Sequence, residues 1–159
     1  MNALNILQHG VMLVMGIECR TSNAPDAGPQ DIPRHWARFY EEAVIDRIPD
    51  KASSEVIALY CDYEGDATMP YSLVIGCPVR QVDAIPDGMV VKEIPAGSYT
   101  VFSAKGDFPQ SLIDTWIAIW QNSDLPRTYQ ADFEVYGEKF FNQIPQEVDV
   151  WIGIRNSGI

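Results

Sequence analysis

Glu134 sits between Phe133 and Val135 and shares its strand parity with Tyr136, a period-two pattern that gives a strand two unlike faces. Phe133 and Val135 are expected to pack under a helix, which turns Glu134 and Tyr136 the opposite way. That opposite face is expected to be the wall of an aromatic cavity, with Glu134 as its one fixed negative charge. A carboxylate among rings selects an apolar organic cation, because cation-π contacts and one opposite charge together offset the lost hydration. The same spacing also fits an ordinary strand with Glu134 in water. Asp62 and Glu64 could join Glu134 as an acid-base set, but acids beside Gly65 read more simply as turn residues. His9 and His35 are the only histidines, and Cys19, Cys61 and Cys77 lie far apart without ligand spacing, so neither a metal nor a cofactor is expected. There is no nucleophile elbow, phosphate-binding glycine loop or dinucleotide fingerprint.

The elements that must hold Glu134 follow from pattern and turn signals. Residues 11–22, rich in Val, Ile and Met, read as a first strand. Asp31-Ile32-Pro33 reads as a helix start, with Asp31 accepting from free amides and Pro33 in the first turn. Trp36, Phe39, Tyr40, Ala43 and Ile48 then recur at helical spacing up to Pro49. Residues 56–63 and 71–79 read as a hairpin across Glu64-Gly65-Asp66. Residues 89–105 read as two strands broken at Pro95-Ala96-Gly97, with Gly97 supplying a turn or bulge conformation. Asp107-Phe108-Pro109 opens a second helix with Leu112, Trp116, Ile119 and Trp120 on one face, and strands at 133–137 and 148–154 close the chain. The order strand, Asp-x-Pro helix with tryptophan, then a strand pair carrying Ile-Gly occurs twice. An internal duplication with halves at about 1–82 and 83–159 is therefore expected, with a ligand cleft between them.

A length of 159 residues, 47% of them hydrophobic, is that of one soluble globular domain. The 11 basic against 22 acidic residues give a formal charge of −11, which repels phosphate backbones and favours cations. Residues 1–10 lack a basic leader pattern and the apolar run 11–17 is too short for a bilayer, so export and membrane partners are not expected. Scattered, odd-numbered cysteines suit reduced thiols in the cytoplasm.

An ordered set of motifs spans the chain from Val11 to Arg155: Ile32-Pro33-x-x-Trp36, Tyr60-x-Asp62-Tyr63-Glu64, Pro86-Asp87-Gly88-Met89, Ile94-Pro95-Ala96-Gly97-x-Tyr99-x-Val101-Phe102, Lys105-Gly106-x-Phe108-Pro109, Thr115-Trp116, Phe133-Glu134-x-Tyr136 and Asp149-Val150-Trp151-Ile152. Taken together they resemble the GyrI-like superfamily of small-molecule (effector) binding domains, fused elsewhere to AraC-type and MerR-type regulators. The resemblance is strongest to its stand-alone integron-cassette members. It implies an α+β fold of two pseudo-symmetric β-α-β-β halves with antiparallel strands, and lipophilic cations bound between them against a deep glutamate. By its place in Phe-Glu-x-Tyr that glutamate is Glu134, with Tyr136 beside it. Tyr60, Tyr71, Tyr99, Phe102, Trp116, Trp151 and Trp36 are the candidate ring walls; each could equally be plain core.

With no room for a helix-turn-helix domain in this sequence, the expectation is ligand binding without direct nucleic-acid contact. A separate transcription-regulator partner and a homodimer stay open. Three functional classes compete. The first is a sensor or sequestering module for cationic amphipathic molecules. The second is a hydrolase of cyclopropane-containing electrophiles, which the resemblance to stand-alone relatives allows. The third is an interaction protein with an acidic docking face.

Overall fold

The computed structural model describes residues 5–155. In chain order it runs β1 (Ile6–His9), β2 (Met12–Thr21), α1 (Gly28–Glu41), α2 (Val44–Arg47), β3 (Val56–Cys61), β4 (Tyr71–Val79), β5 (Val90–Ile94), β6 (Gly97–Gly106), α3 (Gln110–Gln121), β7 (Arg127–Tyr136), α4 (Glu138–Phe141) and β8 (Gln146–Ile154). One antiparallel sheet contains all the strands in the order β1-β6-β8-β7-β3-β4-β2-β5. The two β-α-β-β units, β2-α1-β3-β4 and β6-α3-β7-β8, meet where β3 pairs with β7. Their leading strands are exchanged: β1 pairs with β6 and β5 pairs with β2.

That exchange forces the sheet to curl. His9 ends β1 at one edge and Met12 starts β2 next to the other edge, and three residues span at most about 11 Å. The face turned inward carries Leu59, Phe133, Tyr99 and Val14 in one cluster, and Phe133 stacks on Trp151 at 5.5 Å. The other face is covered by α1 and α3, whose Trp36, Phe39, Leu112 and Trp116 pack with Tyr60, Leu73, Ile75 and Tyr136. Gly16 and Gly76 face each other across β2 and β4; a Cβ on either would lie about 2 Å from the opposite carbonyl oxygen, at 2.1 and 1.9 Å. The strands approach that closely only because neither residue has a side chain.

Several local expectations are corrected. The first helix starts at Gly28, ahead of Asp31, because Pro29 already fits its first turn; Asp31 instead accepts from Thr21 Oγ1 at 2.9 Å, and Pro33 lies inside the helix. The run to Ile48 is interrupted at Ala43, whose φ of 49° breaks the helical path. Residues 89–105 form the two expected strands, β5 and β6, which pair with different neighbours, but Gly97 supplies no turn or bulge and is an ordinary first residue of β6 opposite His9. Trp120 is 49% exposed, outside the packed stripe of α3. The strand expected at 133–137 begins at Arg127, and β1 was not anticipated at all. Among the described residues no helix is long and apolar enough to cross a membrane.

Candidate functional site

Cross-strand partners share a face. Ile17, Ile75, Ala58, Glu134, Val150 and Phe102 form one such row across five neighbouring strands and β6. Glu134 therefore points toward the helices, and Phe133 and Val135 point into the curl, the reverse of the arrangement expected from the sequence. Strand alternation separates two faces without saying which one a helix will cover, and a Glu-Tyr pair looks like the outer one.

Glu134 is 1% exposed, and all its hydrogen-bond donors are neutral. Tyr60 Oη and Trp116 Nε1 donate to Oε2 at 2.8 and 2.7 Å, and Tyr136 Oη donates to Oε1 at 2.6 Å. Burial pushes the carboxyl above its ordinary range, against the hydrogen bonds from Tyr136, Trp116 and Tyr60, which favour the ionised form. Burial, then the charge of Glu134, holds the Tyr60 and Tyr136 hydroxyls well above the usual phenol range, so both stay protonated donors. Tyr60 and Tyr136 come from the paired central strands β3 and β7, whereas Trp116 comes from α3.

Rings close around this cluster. Trp36 meets Tyr136 edge-on at 4.9 Å, Tyr60 meets Trp116 at 5.3 Å, and Tyr71 leans on Tyr60 at 5.6 Å. Phe140 and Phe108, neither named as a ring wall from the sequence, contact Tyr136 at 5.0 and 6.2 Å. Phe108 lies in the Gly-x-Phe-Pro motif, which was the available signal. On the solvent side of these two rings is a depression of about 800 Å³ reaching from Gly106 to Gln146. Thus Glu134, Tyr136, Trp116, Tyr60, Tyr71 and Trp36 are gathered together, and Phe102 lies on the same face behind Trp116 with Ile119 and Val150. Tyr99 and Trp151 are not: both belong to the inward face with His9 and Phe133, so one cavity cannot take its walls from them and from Glu134.

Asp62 and Glu64 are surface acids paired with Lys92 and Arg20, at 2.8 and 2.9 Å, remote in role from Glu134. The second buried acid is Asp132, two positions before Glu134 on the same face. Its Oδ2 accepts from Arg127 Nη2 at 2.7 Å and Tyr63 Oη at 2.6 Å, and its Oδ1 from the Gly153 amide at 2.9 Å. Sequence reasoning missed this pair because the positive φ of 54° at Tyr129 and a register shift between Arg127 and Asp132 break the alternation. Among the described residues no group of three His, Cys, Asp or Glu side chains could hold a metal ion.

The curled antiparallel sheet, with helices covering one face and Glu134 buried beneath them, has the α+β half-barrel architecture of the GyrI-like fold. The chain belongs to the family described as "Integron-associated effector binding protein", whose profile matches residues 6–154. An integron cassette protein from the mobile metagenome of Vibrio cholerae is 30% identical, with a TM-score of 0.75 over 96% of this chain and 95% of that one. SAV2435, solved bound to tetraphenylphosphonium, has the same fold at 19% identity, with a TM-score of 0.78 over 98% and 95%. Among curated relatives, the transcriptional regulator BrlR of Pseudomonas aeruginosa is 28% identical over 155 residues, 94% of this chain and 54% of that protein.

Proposed function

We propose that the chain binds lipophilic organic cations between α1 and α3, with Glu134 as the charge that selects them. The observation that carries this reading is a buried carboxylate held by neutral donors only; among the described residues no cationic side chain pairs with it. Burying a charge without a counter-charge is costly, so the arrangement suits a site whose counter-charge arrives with the ligand. A protein of this fold bound to tetraphenylphosphonium supports the choice of ligand class. Trp116 is the gate in this reading: it is the one Glu134 donor borne by a helix rather than a strand, and the outer face of α3 is open at Ile113, Ile117 and Trp120.

The same reading makes the chain one binding unit of two duplicated halves, about 1–82 and 83–159, because Tyr60 comes from the first and Trp116, Glu134 and Tyr136 from the second. Its role is capture, as a sequestering module or as the sensing part of a separate regulator, without contact to DNA, which a formal charge of −11 opposes. Tryptophan fluorescence titrated with tetraphenylphosphonium and with neutral triphenylmethane tests it. Wild type binds the cation and ignores the neutral compound, and Glu134→Gln weakens the cation by at least about tenfold, roughly 1.4 kcal/mol. Unchanged affinity in folded Glu134→Gln overturns charge selection.

A further inference from the structure

Trp116 touches two charged groups at once. Its indole N–H donates to Glu134 Oε2 at 2.7 Å, and its ring centroid lies 6.0 Å from the guanidinium carbon of Arg127. On another side the guanidinium rests 4.5 Å from the ring of Tyr129. Arg127 is 6% exposed, and its Nη2 grips Asp132. Its Nε is also buried, yet meets no acceptor. Buried donors are satisfied in the great majority of cases, so an orphan beside a binding site calls for a reason.

The geometry supplies one. Glu134 Oε2 is covered by Tyr60, fixed in a central strand, and by the Trp116 indole. The indole lies between the carboxylate and the guanidinium, so a ligand that took its place at this oxygen would meet both. We propose that Arg127 is a specificity-determining residue of the cation site, which reads the flank of the ligand through Nε and selects cations bearing a hydrogen-bond acceptor such as a carbonyl oxygen. The inference rests on Glu134 being the cation site. Arginine suits the task because its planar fork can hold Asp132 with one nitrogen while presenting another sideways, which a lysine ammonium cannot reproduce.

The test is a matched pair of probes, benzyltriphenylphosphonium and its 4-acetylbenzyl counterpart, titrated into wild type and Arg127→Lys by calorimetry. Wild type is expected to hold the acetyl compound at least about fivefold more tightly, and Arg127→Lys to bring the ratio to about one, whatever the absolute affinities. Equal affinities in wild type overturn the inference and leave the Glu134 reading standing; failure of both probes to bind wild type overturns both. Should Arg127→Lys not fold, the Arg127 Nε–H resonance in wild type decides: the acetyl probe shifts it and the benzyl probe does not. A shift of equal size with both probes counts against the proposal.

Discussion

Asp132 and Glu134 are two carboxylates of one strand, on one face, buried to 0% and 1% exposure, and they are satisfied in opposite ways. Asp132 has a guanidinium, a phenol and a backbone amide, so its charge is balanced inside the fold. Glu134 has two phenols and an indole, which orient a negative charge without balancing it. The first arrangement is what a protein does with a charge it keeps. The second suits the proposed role of Glu134, because a resident cation there would have to be expelled before a cationic ligand could enter.

Breaking the balanced site should have the largest effect. Arg127→Leu strands Asp132 as a buried, uncompensated charge and is expected to cost about 3–5 kcal/mol in urea unfolding. Trp116→Phe keeps a ring but removes one donor to an ionic acceptor, for an expected loss of about 1.5–3 kcal/mol. Glu134→Gln should be the mild one, within about 1 kcal/mol of wild type. The Gln carbonyl can still accept from Tyr60 and Trp116, while the Tyr136 hydroxyl can turn to accept from the new amide. A Glu134→Gln loss as large as that of Arg127→Leu would erase the distinction between the two carboxylates.

The smallest effect is in the pH dependence. Because the folded-state pKa of Glu134 lies above its ordinary 4.5, the folded protein holds that proton more tightly than the unfolded chain. Its contribution to stability is fully present below pH 4.5 and is lost as pH rises through the folded value. Wild-type stability relative to Glu134→Gln should therefore decline over that rise, while affinity for tetraphenylphosphonium climbs with it as the carboxylate ionises. A flat difference between the two unfolding profiles would count against a desolvated Glu134.

What was legible in the sequence was the pattern that local chemistry writes. The alternation around Glu134, the aromatic helices and the repeated order of elements all carry their own periods. What was not legible depends on register and closure. Trp151 and Tyr99 look as eligible as Tyr60 until Phe133 is found opposite Trp151, which assigns them to the inward face. Asp132 carries no sequence signal of its own, because its partner Arg127 lies beyond a register shift and the positive φ of Tyr129. Exposed Ile6 and Leu7 gave no alternating signal, and β1 exists because β6 offers it an edge.

Gly10 and Val11 are all that separates β1 from β2, and they act on the whole molecule like a drawstring. They cinch the two margins of the sheet together on the side away from the helices. Inserting slack there would let the sheet relax toward a flatter curve, and α1 and α3, which ride on its back, would change their spacing. If Glu134 holds a ligand as proposed, its fit is thus set partly from behind, by the length of a tether remote from it.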